Sequence, residues 1–314
     1  MDVIYTDSNL VDIGVLQAYE LDYSIGGDNT YSIVSDINGP LVEGGIFYVE
    51  GQEYGGFIDQ VKIDTKSGRK TSSGRTWRGF LSSYFLEPDA GEDYLNVSGD
   101  LGLVIDELIT RFDLDGLFVS GTNVDEEVNY NFNRYTDFYS GLVSLLKTVG
   151  AKLTIVWDPA TKKVEIGSSY VMEYVSDSDK VNFIIQKSAK LPNAVIGLGS
   201  GELSNRTVIK RYIDASGDIV ENNPYSSGTD VWFIKYDYPN AESVDELVKG
   251  AVDELLEARS ASDYVDIAVN DVNLDVGDQV TAVEVSTGTS VTAEVTEKIL
   301  KVKNDKISTS YKVN

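Results

Sequence analysis

The chain has 314 residues, with 26 Lys and Arg against 51 Asp and Glu, a net charge of −25, and neither histidine nor cysteine. Without an imidazole or a thiol it cannot build Ser-His-Asp or Cys-His catalysis, the usual zinc and transition-metal sites, or a disulfide framework; carboxylates, lysines, hydroxyls and oxygen-bound cations remain. The acidic surplus repels phosphate backbones and anionic membranes, so stable nucleic-acid binding is not expected.

No basic, apolar leader opens the sequence, and no apolar run approaches the roughly 20 residues that span a bilayer, which predicts a soluble chain made in a cytoplasm. The 42% hydrophobic content and 19 Tyr belong to folded material, and the length suits two or three domains.

Residues 1–88 read as strands. A loosely alternating run over 17–25 and its return over 30–34 flank Gly26-Gly27-Asp28-Asn29, a hairpin signature. Apolar residues 46–49 follow, then a turn at Glu50-Gly51-Gln52, an alternating strand over 57–63, a turn at Lys66-Ser67-Gly68-Arg69 and a resumed strand over 76–80. Short strands with glycine-marked turns at this spacing predict a small antiparallel barrel or sandwich, and an N-terminal β-barrel domain is expected over 1–88.

The pattern changes after Pro88. Leu101, Ile105, Leu108 and Phe112 share one face of a helix predicted over 98–112, with Ser98 or Asp100 as its N-cap. A second helix is predicted over 137–149, capped by Thr136 and ended by Gly150, with the stripe Phe138, Leu142, Leu145 and Val149. Strands over 152–157 and 163–167 then pair across Asp158-Pro159-Ala160-Thr161, making 89–181 an α+β domain.

From 182 to 314 the chain is β-rich again, with strands over 194–198, 207–214, 264–269, 279–285, 290–302 and 306–313. One helix, 243–259, opens on the capping box Ser243-x-x-Glu246 and has Val244, Leu247, Val248, Ala251 and Leu255 as its apolar side. A second barrel that exchanges strands with other domains is expected here.

Several constellations resemble chemistry. Asp113-Leu114-Asp115-Gly116 starts like a calcium loop but lacks the third oxygen ligand, so a solvated turn is expected, as at 214–218 and 270–273. Gly197-Leu198-Gly199-Ser200-Gly201 follows a strand but is followed by Glu202-Leu203-Ser204 in place of a Gly-Lys-Ser/Thr, so a bend in a β connection is expected. Ser73 to Gly79 combines Arg75, Trp77 and Arg78; the expectation is a packed indole and paired arginines, not a stacking platform. No residue is singled out as catalytic, cofactor-binding or metal-binding.

Four segments, in this order, resemble the tail-associated baseplate hub proteins of siphophages and prophages, including a virus-encoded group of similar size from Gram-positive hosts. They are residues 55–88 with the strand GRTWRGFL, the helix ending at Gly150 with KLTIVWDPATKKVEIG, the stretch from Asn193 to Arg206 with its Gly-x-Gly, and the closing segment from Gly277-Asp278. The resemblance implies a non-enzymatic, β-rich α+β protein of multidomain hub architecture: antiparallel, tube-like β-barrel domains plus an α+β domain.

It implies a homotrimer at the virion tail tip, joining the tail tube to the host-contacting tip and lining part of the DNA channel. The implied partners are the distal tail protein, the tape-measure protein and other tail-tip proteins, with no cofactor and no membrane insertion. The competing expectation is a carbohydrate-binding or wall-degrading tail protein using carboxylates, for which Trp77, Trp157 and Trp232 are candidate sugar-stacking residues.

Overall fold

A computed structural model describes residues 1–177, 182–186, 191–241, 243–260, 264–268, 273–284, 289–304 and 306–313. Two compact units are present: residues 1–182 with 267–313, and residues 183–266. The fold is β-rich α+β, 44% strand and 17% helix, so strand pairing and not helix packing sets the architecture. No helix among the described residues is long and apolar enough to cross a membrane.

The first unit is organised by an eight-stranded sheet. Its order is Glu173–Asp177, Gln279–Glu284, Thr289–Lys303, Glu20–Ile25, Thr30–Asp36, Arg69–Arg75 and Gln60–Asp64, with Lys306–Val313 also paired to Thr289–Lys303. The 20–25 and 30–36 strands form the expected hairpin; Gly26 and Asn29 in its turn have φ of +89° and +53°. Strand alternation puts Leu21, Tyr23, Ile25, Tyr31 and Ile33 inward, where they meet Leu300 and Val302 from near the C-terminus. The last strands of the sequence thus build on the first hairpin.

A four-stranded sheet runs Asp12–Val15, Ile4–Thr6, Ile46–Tyr48, Gly55–Phe57. The barrel expected over 1–88 does not close among the described residues. The chain leaves one sheet at Phe57, buries Ile58, and joins the other at Gln60, so the strand expected over 57–63 is two strands in two sheets. Closure needs the outermost strands to pair, and Gln60–Asp64 and Glu173–Asp177 instead end the large sheet.

The strand expected over 76–80 is helix α1, Trp77–Leu81. Thr76 turns the chain by accepting the Gly79 N–H on its hydroxyl, an N-cap that outcompetes the apolar run as a strand signal. Helices α2, Leu101–Arg111, and α3, Phe138–Lys147, stand close to their expected positions. Asp100 caps α2 through the Leu103 N–H. Asp137, not Thr136, caps α3 through the Ser140 N–H, and Gly150 beyond it has φ +66°. Both helices share a core with the sheet of Phe118–Ser120, Lys163–Tyr170 and Ala151–Asp158, to which they contribute Ile105, Leu108, Leu142 and Leu145.

The second unit has the sheet order Ile219–Val220, Val208–Ile213, Ala194–Leu198, Phe233–Asp237, covered on one face by α4, Val244–Ser260. Ser243 Oγ accepts the Glu246 N–H at 3.1 Å, so the serine arm of the capping box is formed. Leu247, Ala251 and Leu255 are buried, Ala251 and Leu255 against Val195 and Ile213; Val244, placed on the apolar side by periodicity, is exposed because it lies in the first turn, before the helix meets the sheet. The strand read over 264–269 is seen as Tyr264–Ala268, and most of the turn read at 270–273 lies outside the described residues.

Candidate assembly surfaces and the buried charge lock

The residues that looked chemical in the sequence are structural. Trp77 is fully buried, stacked on Trp157 at 6.2 Å between centroids and edge-on to Phe57 and Phe118. Trp157 is also buried, stacked on Tyr48 at 3.8 Å. Only Trp232 of the three indoles is substantially exposed.

Arg75 donates to both oxygens of Asp59, at 2.9 and 2.7 Å, a two-pronged contact whose hydrogen bonds hold the Asp59 carboxyl below its usual range. Arg78 is buried, donating to both oxygens of Glu53 and, at 3.2 Å, to the Leu153 carbonyl. The expectation of a packed indole with paired arginines therefore holds, with Trp77 and Arg78 on a helix and Arg75 at the end of the preceding strand.

The glycine-rich run is a hairpin connection. The Gly199 N–H donates to the Thr207 carbonyl at 2.8 Å, and the Thr207 N–H donates to the Ser200 carbonyl at 2.8 Å. A Cβ on Gly199 would sit 2.8 Å from Leu247 of α4, and Gly201 has φ +96°, so packing and turn geometry account for both glycines. Asn193 fastens the same unit by donating to the Asp230 carbonyl and accepting the Trp232 N–H, and Arg206 donates to the Gly199 carbonyl while pairing with Asp237. Asp113 sits in the left-handed region at φ +56° in the turn after α2. Among the described residues there is no grouping of three or more Asp or Glu able to hold a metal ion.

Sequence periodicity gives no sign of a charge cluster, three of its members buried and Asp275 half exposed, that joins three distant stretches of the first unit. Lys152 Nζ, from strand Ala151–Asp158, donates to both oxygens of Asp278 at 2.7 Å and to Asp275 at 3.3 Å. Lys298, from strand Thr289–Lys303, donates to Asp275 and to the Asn273 side chain, each at 3.0 Å.

Asp278, with no exposed surface, also accepts the Met172 and Asp275 N–H groups. Burial by itself would push the Asp275 carboxyl up; the ammonium groups of Lys298 and then Lys152 outweigh it and hold that carboxyl below its ordinary range. The same pairing raises Lys298 against the opposing effect of burial. Two cations and two anions balance, and every member is hydrogen-bonded, so the cluster is a lock and offers no free acid or base. The only sequence trace of it is Gly277-Asp278: Gly277 turns at φ +98° and Asp278 follows it inward.

Outside, the notable feature is strand Asp12–Val15 at the edge of the four-stranded sheet, with Leu10, Val11, Ile13 and Val15 all exposed. Asp12 is held by the Tyr48 hydroxyl at 2.7 Å and by Lys162 at 2.8 Å, the Lys162 bond being the main reason its carboxyl titrates low. Clefts of about 520 and 340 Å³ flank this strand and share Asp12, Trp157 and Lys162 in their walls.

No family model and no curated protein matches the chain. Solved structures do. The chain is similar to the 43 kDa tail protein of prophage MuSo2 from Shewanella oneidensis, with 12% identity, a TM-score of 0.53, and 100% of this chain and 98% of that one covered. It is also similar to a tail protein from Neisseria meningitidis MC58, at 13% identity and TM-score 0.49 over 99% and 95% of the two chains. A third is prophage tail protein gp18 from Listeria monocytogenes EGD-e, at 12% identity and TM-score 0.49 over 95% and 90%. The likeness to the Shewanella protein shows a shared fold running the full length of both chains: this is the fold of a prophage tail protein.

Proposed function

We propose that the chain is a structural subunit of a phage or prophage tail tip, a baseplate hub that joins the tail tube to the host-contacting tip. The observation that carries this is the end-to-end fold likeness to a prophage tail protein, with neither chain left substantially uncovered. The chemistry is consistent with it: polar clusters in both units are spent on internal bonds, and no poised nucleophile or acid–base pair emerges among the described residues. The role proposed is non-catalytic.

In this reading the subunit is a homotrimer that meets the distal tail protein, the tape-measure protein and other tail-tip proteins. Its open sheets are completed between copies, so that tube-like closure belongs to the assembly and not to one chain. Part of the −25 net charge lines the channel, so DNA slides past without counterion-release attraction, and neither nucleic acid nor membrane is bound stably. The alternative of a glycan-binding or wall-degrading protein loses two of its three candidate indoles to the core.

The test is cryo-electron microscopy of tails purified from an induced lysogen. The expected result is three copies of the chain in a ring at the tip, around an acidic bore. Tails that lack the chain, or a ring with a neutral or basic bore, would overturn the tail-tip or the channel part respectively.

A further inference from the structure

Open strand edges invite pairing with other chains, and proteins protect them with charged side chains, lysine above all. The first unit's edges differ in this respect. Gln60–Asp64 carries Lys62 and Asp64, and Lys306–Val313 carries Lys306 and Lys312. Asp12–Val15 has no such guard: Leu10, Val11, Ile13 and Val15 are 45, 57, 57 and 43% exposed, and its one charged residue, Asp12, is tied back to Tyr48 and Lys162. Two adjoining clefts, lined among others by Leu10, Val11 and Leu117 and by Ile4, Ile13 and Val15, lie beside the strand and offer apolar surface to the side chains of an added strand.

Charge selects the occupant. Residues 1–18 hold Asp2, Asp7 and Asp12 and no Lys or Arg, and Glu50 stands in a cleft wall; Lys162, in both walls, is spent on Asp12. Pairing this edge with itself would bring aspartates together. The edge strand Lys306–Val313 differs in character: Lys306 opens it, Ile307 is 54% exposed, and Lys312 near its end is paired with Glu297 of the neighbouring strand. Lys306 repels a second copy of the same edge and attracts an acidic one.

We propose that Lys306–Val313 of one copy adds as a strand to the Asp12–Val15 edge of a second copy. The contact joins two different surfaces, so it is heterologous and makes a ring where the rotation between copies closes. This rests on the reading of the chain as a ring-forming subunit and names the surfaces that would close the ring.

The absence of cysteine makes the test direct, since an engineered pair supplies the only thiols. Ile13→Cys protein is mixed with size-tagged Ser308→Cys, Thr309→Cys or Ser310→Cys protein under mild oxidation, and adducts are resolved on denaturing gels. The expected result is a mixed disulfide from at least one pair, forming about tenfold or more faster than in urea. A thiol placed by Val15→Cys should report the same pairing, and lose it when Asp7→Lys and Ile13→Lys are added to block the edge. Mixed adducts no faster than in urea for all three pairs overturn the proposal, as does an Ile13→Cys self-adduct that outpaces them, or an adduct that survives the blocked edge.

Failure here is separable from failure of the tail reading. Tails that contain the chain but show no adduct between these edges refute the edge pairing alone, whereas tails without the chain refute the tail role whatever the adducts show.

Discussion

The cluster of Lys152, Asp275, Asp278 and Lys298 and the strand Asp12–Val15 invert the ordinary arrangement in opposite ways. The first takes charges inside; the second leaves aliphatic side chains outside. Both are costly unless a partner is supplied, because a buried charge loses its hydration and an exposed apolar patch keeps water ordered around it. The charges find their partners within one chain, from three segments that only folding brings together. The aliphatic edge finds none among the described residues. The difference separates what stabilises the subunit from what is available for assembly.

That contrast can be broken most forcefully at Lys152. Lys152→Ala leaves Asp278 buried with backbone N–H donors but no counter-charge, and should cost about 3–5 kcal/mol in urea unfolding. A cost near that of an ordinary surface substitution would mean the cluster is hydrated and is not a lock.

The pH dependence should follow. Asp275, Asp59, Asp12 and Glu297 all titrate below their ordinary values of 3.8 for Asp and 4.5 for Glu. A carboxyl whose pKa is lower folded than unfolded stabilises above the unfolded value, and loses that contribution as pH falls through the folded one. Stability should therefore hold at neutral pH and fall from about pH 4 downward, and Asp275→Asn should lower the neutral plateau and make the acid side shallower. An acid side as steep as wild type would remove Asp275 from the account; thermal melts across pH decide.

A smaller effect distinguishes the cap seen in the structure from the one expected from the sequence. Asp137→Ala should cost about 1 kcal/mol by losing the Ser140 N–H acceptor, and Thr136→Ala distinctly less. The reverse order in denaturant melts would restore Thr136 as the cap. The smallest stability effect belongs to the edge: Ile13→Lys should change unfolding by less than about 0.5 kcal/mol while abolishing self-association. A large loss of stability there would show that the strand's exposed face is part of the fold.

Local signals were legible where one segment sufficed. The periodicity of α2, α3 and α4, the hairpin at Gly26 to Asn29 and the turn at Asp158 all depend on neighbours a few residues away, and all are present. The run Thr76 to Phe80 misled because an apolar, aromatic stretch fits a strand by pattern; a single hydrogen bond between the Thr76 hydroxyl and the Gly79 N–H decides for a helical turn. The split of residues 57–63 was illegible for a different reason: it depends on which of two sheets each half joins, and that is set by Ser73 and Gly45, distant in the chain. The buried lock left almost no trace, since Lys152 and Asp278 stand 126 residues apart and each of its members resembles a surface charge.

By itself the sequence determined the chemistry that is missing and the acidic character of the surface: without His or Cys, whole mechanisms are closed whatever the fold. It also determined most helices, because an amphipathic stripe and its cap are local. Tertiary structure alone decided which charges meet in balance, where the C-terminal strands insert, and that the sheets stay open at an unguarded edge. Those outcomes depend on pairings between remote segments, and the free energy of such a pairing resides in neither segment alone.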